Sequence, residues 1–303
     1  MIATARQLFL EGSPRLGNNT ATRDLLETKF FCSLRLSNGV YKRTWAGRFY
    51  DVDQTLIAQF QRLGVKPKTF LDVAVSSGAS TIKWFESLQE AGLRPSMTAT
   101  DLTMTVYLVR LLSWLHVLVD KEGFPLQYDV FGLASRPRCR IRFYVFGNGL
   151  LTILWRMVYA GVARRFDLMK RLKALHGNPP PIDDPVIKAQ IKLVTYRLRE
   201  NKDIELLDDD ITAPTPPSLR GRFEVIRAAN ILNPGYFSTQ QLREAVRNLR
   251  DRLVGPGAFL LIVRTEGTDS NHGSVFCLGD NGSFEVLARI GKGSELEDLV
   301  LSI

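Results

Sequence analysis

The chain has 303 residues, of which 45% are hydrophobic and 23% charged, a balance that excludes general disorder and allows a large buried core. Its formal net charge is +9, so nucleic acid, anionic lipid and acidic small molecules are all candidate partners. Cys32, Cys139 and Cys277 lie far apart, which excludes a zinc site built from neighbouring residues and argues against a disulfide framework. We expect a cytoplasmic protein with reduced thiols, no metal and no secretion signal.

Residues 1–66 have the pattern of a separate N-terminal segment. A helical start is followed by a hairpin-like piece in FFCSLRLSNGVYKRTW, residues 30–45, where Ser-Asn-Gly is a turn signal. The sequence VDQTLIAQFQRLGV, residues 52–65, predicts a helix at its end. Between them, TWAGRFYDVD carries Trp45, Arg48, Phe49 and Tyr50. This stretch either folds over a cofactor as a lid or only packs the segment onto a core.

From residue 67 onwards, strand patterns alternate with helical patterns. Predicted strands are Phe70–Val75, Met97–Thr100, IELLDDDIT (204–212), FEVIRAANIL (223–232) and GAFLLIVRT (257–265), and predicted helices are Ile82–Ala91 and STQQLREAVRNLRDRLV (238–254). Such alternation predicts an α/β fold with a doubly wound, Rossmann-like and mostly parallel sheet. SVFCLGD and FEVLARIG, near the C-terminus, predict an antiparallel hairpin at its end. We therefore expect one core domain over residues 67–303.

An insertion at residues 106–203 interrupts this core. Its apolar run YVFGNGLLTILWRMVYAGVA, Tyr144 to Ala163, contains Asn148 and Arg156, and a central arginine opposes membrane insertion by about 2.5 to 3.5 kcal/mol. We therefore expect a buried or interface-lying helix in a helical insertion that caps a substrate site. Residues 136–202 hold fifteen Lys and Arg against four Asp and Glu. This basic segment could contact phosphate head groups, an acidic substrate or RNA, or be a solvated face, and no known RNA-binding module is visible.

The turn after the first predicted strand carries small residues at regular spacing. In FLDVAVSSGAST, Asp72 is followed by Ala74, Ser76 and Gly78, where an acid followed by three alternate glycines would form a nucleotide-binding loop. Small residues let the backbone approach a ligand, and the following helix offers its N-terminal amides. Two of the three glycines are replaced, so the loop alone is a weak signal.

Three further polar residues strengthen the prediction of a ligand-binding loop. Asp101 ends the second strand, 23 residues beyond Gly78, where the two oxygens of a carboxylate suit the vicinal hydroxyls of a ribose. Asp210 follows the third strand and Asn230 the fourth. In open α/β sheets, ligands bind at this carboxyl edge of the strands.

With these residues the sequence resembles the class I S-adenosylmethionine-dependent methyltransferases, over residues 67–105 and from 204 to the C-terminus. The resemblance implies S-adenosylmethionine as cofactor and an activity of the EC 2.1.1 class. It also implies the residues that bind the cofactor: Asp72, Ala74, Ser76 and Gly78 for the methionine part, Asp101 with Leu102 for the ribose, Asp210 with Ile211 for the adenine, and Asn230. A dinucleotide dehydrogenase is the alternative, but its glycines permit a closer pyrophosphate approach than Ala74 and Ser76.

The region after the fourth strand is similar in rhythm to the chemotaxis-receptor methyltransferases. Their Asn maps to Asn230, but Ala229 stands where they have Arg, so receptor carboxyl methylation is not implied. Asn233-Pro234-Gly235-Tyr236 is similar to the Asn-Pro-Pro-Tyr motif of amino-group methyltransferases. Its position favours a turn that leads to a helix cap at Ser238.

Catalytic candidates are His272, Asn230 and Tyr50. His272 is expected in a polar loop after the fifth strand, as a general base or as a solvated loop histidine. Of the other histidines, His116 in WLHVLV reads as a packed helix residue and His176 lies in a linker.

These patterns predict a methyltransferase that acts on a small-molecule or lipid-like acceptor, which could carry an acidic group, with contact to an anionic membrane surface as a further alternative to a purely cytoplasmic location. A protein or RNA methyltransferase that docks through the basic insertion is a second hypothesis. A non-catalytic protein that keeps the fold to bind a cofactor or partner is a third, because two loop glycines are replaced.

Overall fold

The computed structural model describes residues 2–10, 20–37, 39, 41–42, 44–135, 148–267 and 269–303. The chain divides into two compact units. Unit 1 comprises Met1–Arg43 and Thr103–Thr195, and unit 2 comprises Thr44–Leu102 and Tyr196–Ile303. The sequence placed the boundaries at residues 66, 106 and 203. In the structure the first 43 residues belong with the insertion, and residues 44–66 belong with the core.

The described residues form the following elements. The helices are α1 Ala5–Phe9, α2 Thr20–Ser33, α3 Tyr50–Leu63, α4 Ala79–Glu90, α5 Asn148–Arg165, α6 Leu168–Ala174, α7 Tyr196–Glu200, α8 Thr239–Arg252 and α9 Glu297–Leu301. The strands are β1 Thr69–Val73, β2 Ser96–Asp101, β3 Thr105–Leu112, β4 Leu115–Asp120, β5 Pro125–Val130, β6 Leu133–Ser135, β7 Ile187–Lys192, β8 Ile204–Asp208, β9 Val225–Ala229, β10 Phe259–Glu266, β11 Ser270–Leu278 and β12 Phe284–Ile290.

Unit 2 contains the predicted Rossmann-like sheet. Its strand order is β12-β11-β10-β9-β1-β2-β8. The neighbours from β10 to β8 are parallel, and β11 pairs antiparallel with both β10 and β12. The predictions of a doubly wound, mostly parallel sheet and of a C-terminal antiparallel hairpin are therefore confirmed.

Helices cover both faces of this sheet. On one face, Phe60 of α3 packs edge-on against Phe70 and Phe259, and Trp84 of α4 packs against Phe70. On the other face, α8 buries its apolar side in a cluster with β1, β9 and β10. Helix α8 begins at a capping box in which the side chains of Ser238 and Gln241 satisfy each other's backbone amides, and such a cap stabilises a helix by about 1 kcal/mol. The predicted cap at Ser238 is confirmed.

Unit 1 is built on an antiparallel sheet with the order β6-β5-β4-β3-β7. Helices α1 and α2 pack on one face, and α5 and α6 pack on the other. The insertion was expected to be helical, but its first part forms most of this sheet. His116 lies on β4, so its prediction as a helix residue was wrong. Because β4 is buried along its whole length, it lacks the polar alternation that separates a strand from a buried helix.

The N-terminal segment completes unit 1. The Ala5 N–H donates to Gln127 Oε1 at 2.9 Å, and the Gln127 side-chain amide donates to the Ala3 carbonyl at 3.2 Å. Arg6 pairs with the buried Asp129 at 3.0 Å. These bonds fix α1 on β5, so both chain segments contribute to one core.

Of the described residues in the expected hairpin at residues 30–45, only the first four are helical. Helix α2 continues to Ser33, because Phe30 and Phe31 bury their rings against the sheet. An isolated antiparallel bridge joins Arg35 to Tyr41, and Asn38 of the turn signal lies outside the described residues. The predicted roles of the N-terminal segment as a lid and of the insertion as a substrate cap stay predictions.

The apolar run of the insertion forms helix α5 from Asn148 onwards. Residues 144–147 of the run lie outside the described residues, as does Cys139. In the part of the chain that the structure describes, no helix combines the length and apolar character needed to cross a membrane.

Candidate active site

The turn between β1 and α4 has a left-handed backbone at three alternate residues. Ala74, Ser76 and Gly78 have φ angles of +57°, +59° and +77°, in the left-handed region that favours glycine. A side chain in this region costs roughly 1 to 2 kcal/mol. The protein therefore holds Ala74 and Ser76 against this strain, in conformations where glycine would be unstrained.

Asp101 is joined to this loop. It ends β2, and its Oδ2 accepts a hydrogen bond from the Ser76 N–H at 2.8 Å. Its carbonyl accepts the Asp209 N–H at 3.1 Å, so Asp101 connects the ends of β1, β2 and β8. Only 8% of Asp101 is exposed, whereas Leu102 beside it is half exposed.

Asp210 and Ile211 follow β8 at the same edge of the sheet. The exposed Asp210 accepts hydrogen bonds from the N–H and the hydroxyl of Thr212 at 2.9 and 2.7 Å, while Ile211 is buried in the core. Asp209 forms a two-bond pair with the buried Arg252 at 2.6 and 3.1 Å. Of the three consecutive acids, Asp210 is the exposed one, and its contact with adenine stays a prediction.

The chain reverses its direction of winding between β1 and β9. From β1 it proceeds to β2 and β8, and then returns to β9 on the other side of β1. Such a switch point is where open α/β sheets bind ligands. Asn230 follows β9 there, with a left-handed φ of +58°. Residues other than glycine therefore adopt the left-handed backbone conformation on both sides of the switch point.

The side chain of Asn230 begins a polar network. Its Oδ1 accepts the Thr265 N–H at 2.7 Å, and its Nδ2 donates to Thr265 Oγ1 at 3.1 Å. Thr265 Oγ1 donates in turn to Asn271 Oδ1 at 2.9 Å. Arg48 Nε donates to the same hydroxyl at 3.2 Å, and the Asn271 amide donates to Asp51 Oδ1 at 2.7 Å. The network fixes the beginning of α3 against the ends of β9 and β10.

Asp72 belongs to a buried ionic triad. Arg227 of β9 donates to both oxygens of Asp72 at 3.0 and 2.6 Å, and to Asp53 of α3 at 2.8 Å. The Arg227 side chain is fully buried, and its guanidinium lies 4.2 Å from the ring centroid of Trp84. Burial raises the pKa of Asp53 to about 7, although the charge of Arg227 opposes this shift. Asp72 thus anchors α3 and β9, and its role as a cofactor ligand stays a prediction.

Gly78 lies against helix α7. A Cβ placed on Gly78 would overlap Cδ2 of Leu198, and Leu198 is fully buried. Arg197 of the same helix pairs with Glu86 of α4. Position 78 therefore requires a glycine because the Leu198 side chain packs closely against it.

The three predicted catalytic residues do not meet. His272 lies on β11, not in a loop, because the strand begins at Ser270 and pairs His272 with Arg264. Its Nδ1 accepts the Lys292 N–H at 3.1 Å, and its Nε2 lies 3.1 Å from the Ser270 hydroxyl. Tyr50 is exposed at the start of α3. Within the described part of the chain, no hydrogen bond joins His272, Asn230 and Tyr50, and their catalytic roles stay predictions.

The sequence Asn233-Pro234-Gly235-Tyr236 forms the predicted turn. The Gly235 N–H donates to Asn233 Oδ1 at 2.8 Å, the Tyr236 N–H donates to the Asn233 carbonyl at 2.9 Å, and Tyr236 is exposed. The interpretation as a turn before the Ser238 cap is confirmed.

Two cavities of unit 2 lie away from the loop. The larger one, about 640 Å³, is at the opposite, amino edge of the sheet and is lined by charged residues that include Arg94, Lys202 and Glu205. A smaller one, about 190 Å³, borders His272 and Arg264. The topology favours the carboxyl edge despite the size of the first cavity, since ligands of open α/β sheets bind at that edge.

Cys32 and Cys277 are free thiols. Among the described residues, no group of three or more His, Cys, Asp or Glu side chains could hold a metal ion.

Sequence patterns missed several residues of this edge. Thr265, Asn271 and Arg227 carry the two networks, but their partners lie up to 223 positions away along the chain. No local motif signals such a contact. Arg48 was singled out only as part of a lid.

Solved methyltransferases are similar to this chain at a low level. The CMeT domain of the citrinin polyketide synthase is 14% identical with a TM-score of 0.35, over 87% of this chain and 45% of that chain. The N-methyltransferase NodS from Bradyrhizobium japonicum WM9, in complex with S-adenosyl-L-homocysteine, is 13% identical with a TM-score of 0.29, over 85% and 69%. The plantazolicin methyltransferase BpumL, also in complex with S-adenosyl-L-homocysteine, is 10% identical with a TM-score of 0.34, over 72% and 47%.

This chain therefore spans less than half the length of the first of these proteins. No protein-family model matches the sequence, and no curated protein matches it. Identities and TM-scores this low place the chain in no family.

Proposed function

We propose that the chain is an S-adenosylmethionine-dependent methyltransferase whose acceptor is a small or lipid-like molecule with an acidic group. The observation that carries the proposal is the backbone at the switch point. Ala74, Ser76 and Asn230 are held in left-handed conformations there, and Asp101 is hydrogen-bonded to the loop. Backbone strain of this kind concentrates at ligand-binding sites.

The residues at this edge fit the cofactor. Small side chains at positions 74 and 76 allow close approach, and the Asp101 carboxylate, which accepts the Ser76 N–H, is of the acceptor type that suits a ribose diol. The hydroxyls of Thr81 and Thr100 near the loop are buried without a hydrogen-bond partner among the described residues. S-adenosylmethionine would supply an electrophilic methyl group, and the chain would orient the acceptor, since methyl transfer depends mainly on alignment.

Arg48 supports an acidic acceptor. Its guanidinium lies 4.6 Å from the ring centroid of Trp45 and 5.5 Å from that of Phe49, and Thr265 holds its Nε at 3.2 Å. Burial lowers the pKa of Arg48, although the charge of Asp269 opposes this shift. A positioned and partly desolvated guanidinium binds a carboxylate or phosphate more strongly than a solvated one. Arg48 is therefore our candidate for the residue that recognises the acceptor.

A second candidate function is a binding protein without catalysis. Two contacts favour it. Arg227 occupies both oxygens of Asp72, and Leu198 packs against Gly78. Asp72 and Gly78 are two of the residues that the resemblance implies for binding the methionine part of the cofactor, and in this protein each already contacts another side chain.

Calorimetry with S-adenosylmethionine and S-adenosylhomocysteine tests the cofactor. We expect both to bind, and we expect Asp101→Ala to weaken binding by at least about tenfold, because it removes hydrogen bonds to an ionised acceptor. Asp203→Ala is the matched control, since Asp203 is an exposed acid before β8 at the opposite edge of the sheet. Absence of binding by folded protein would rule out the cofactor, and an equal loss in both variants would remove Asp101 from the site.

Transfer of a labelled methyl group to a panel of small and acyl-chain carboxylic acids separates the two functions. A methyltransferase yields labelled ester that decreases in Arg48→Met and is retained in part by Arg48→Lys. Cofactor binding without any labelled product from this panel would favour the binding protein. We propose a cytoplasmic location for either function, in keeping with the free thiols.

A further inference from the structure

Helix α5 has two apolar faces, although one of them is exposed. Its inner face packs on the sheet of unit 1 through Trp155, Tyr159 and Val162. The outer face is formed by large apolar side chains spaced i, i+3, i+4 and i+7, namely Leu150, Ile153, Leu154 and Met157. Leu150 is 73% exposed and Met157 is 62% exposed. A surface helix normally places polar residues on this side, so an exposed apolar stripe of this size indicates a further apolar neighbour.

An aromatic row leads from the inner face of α5 to the tip of a hairpin. Trp114 stacks on Phe131 with ring centroids 4.7 Å apart, and it contacts Trp155 of α5 edge-on at 5.8 Å. Phe131 is 71% exposed. Leu133, the first residue of β6, is exposed beside it. Phe131 and Leu133 therefore form a second exposed apolar group of unit 1, at the turn between β5 and β6.

Phe131 occupies a position that its residue type does not favour. Phe131 and Gly132 form the two-residue turn between β5 and β6, with φ angles of +52° and +80°. Turns of this type prefer Asn-Gly, because a bulky side chain is strained there. The protein thus holds an aromatic ring in a strained conformation and in contact with water. The ring stacks on Trp114, but most of it stays exposed.

Exposed basic residues lie on α5 and on the next helix. Arg156, Arg164 and Arg165 of α5 are exposed, as are Lys170 and Lys173 of α6. From Asn148 to Ala174, Asp167 is the only acidic residue. Exposed aliphatic and aromatic side chains flanked by Lys and Arg match a bilayer surface, where the apolar groups enter the acyl boundary and the cations meet anionic head groups.

We propose that the outer face of α5, together with Phe131, docks unit 1 onto an anionic membrane surface. The apolar side chains supply the area that inserts, and the arginines and lysines select negatively charged lipid. The proposal is independent of cofactor binding. It identifies the membrane contact as interfacial, with α5 lying in the plane of the bilayer.

Flotation of the full chain with vesicles tests this proposal. We expect the protein to float with vesicles of phosphatidylcholine and phosphatidylserine. Much less protein should float with vesicles of phosphatidylcholine alone, or at high salt. The double variant Leu150→Ser with Met157→Ser should partition at least about tenfold more weakly, because two inserted side chains are lost. Ile182→Ser is the matched control, since Ile182 is fully exposed in the same unit but lies on neither α5 nor the turn between β5 and β6.

Phe131→Asn separates docking from folding. Asparagine suits the left-handed turn, so this variant should keep the midpoint of unfolding within a few degrees while it loses vesicle binding. Absence of binding to anionic vesicles at low salt, or equal binding by the double variant, would overturn the proposal. A dimer in solution that the double variant converts to a monomer, without any vesicle binding, would instead assign the face to a second copy of the chain. Because cofactor binding is measured without lipid, the two proposals fail separately.

Discussion

The two units differ in the sign of their net charge and in whether their arginines are buried. Unit 1 carries 21 Lys and Arg against 9 Asp and Glu, whereas unit 2 carries 19 against 22, so the basic character of the protein belongs to unit 1. Unit 2 buries two arginines completely, and each is bound to aspartates. In unit 1, the arginines of α5 lie on the surface beside exposed apolar residues.

This difference indicates separate tasks. Buried ionic pairs hold secondary-structure elements in fixed positions, and removal of one partner strongly destabilises the protein. An exposed surface that is both apolar and basic is poorly suited to water but well suited to an anionic interface. The difference agrees with our two proposals, a ligand site in unit 2 and a docking surface on unit 1.

The largest expected effect is a loss of stability on removal of a buried arginine of unit 2, compared with removal of a partly exposed arginine of unit 1. Arg227→Met should lower the free energy of unfolding by about 3 to 5 kcal/mol, because it leaves Asp53 and Asp72 buried without a cation. Arg171→Met should cost less than about 1 kcal/mol, because Arg171 is partly exposed. Its partner Asp184 also keeps two backbone N–H donors. Urea unfolding at neutral pH measures both.

Adding Asp72→Asn to Arg227→Met is the control. It should recover part of the lost stability, because one uncompensated charge is removed. Equal costs for the two single arginine variants would show that burial does not distinguish the two pairs.

The second effect is a dependence of stability on pH. Because burial raises the pKa of Asp53 to about 7, the folded state binds a proton more tightly than the unfolded state does. The resulting stability is present at acidic pH and is lost as the pH rises through 7. Between pH 5 and pH 8 this loss should be roughly 2 kcal/mol, measured from urea midpoints at each pH. Asp53→Asn cannot titrate and should flatten the profile, and an unchanged slope in this variant would exclude Asp53 as its source.

The smallest effect concerns the strained loop. Ala74→Gly and Ser76→Gly should each raise the free energy of unfolding by up to about 1 kcal/mol, because glycine relieves the left-handed strain but gains entropy in the unfolded chain. Cofactor affinity should be retained. The matched control is Ala99→Gly in the buried middle of β2, which should lower stability by about 0.5 to 1 kcal/mol. Thermal unfolding of the three variants gives the comparison, and destabilisation by Ala74→Gly would show that the loop is not strained.

Sequence patterns were informative where neighbouring residues decide the structure. The strand and helix around FLDVAVSSGAST, the cap at Ser238 and the C-terminal hairpin each follow from a local pattern of burial, capping or turn residues, and the structure has them. The pattern failed at β4 and at residues 30–33. A short apolar run there is compatible with strand or helix, and its tertiary neighbours decide between them.

The candidate site divides in the same way. The sequence by itself determined that Asp101, Asp210 and Asn230 follow successive strands, and therefore share one edge of a parallel sheet. Tertiary structure alone decided that Asp72 is occupied by Arg227, that Asn230 bonds to Thr265, and that His272 lies within a strand. The first two of these contacts join residues 155 and 35 positions apart, and such pairs meet only after the sheet has ordered its strands.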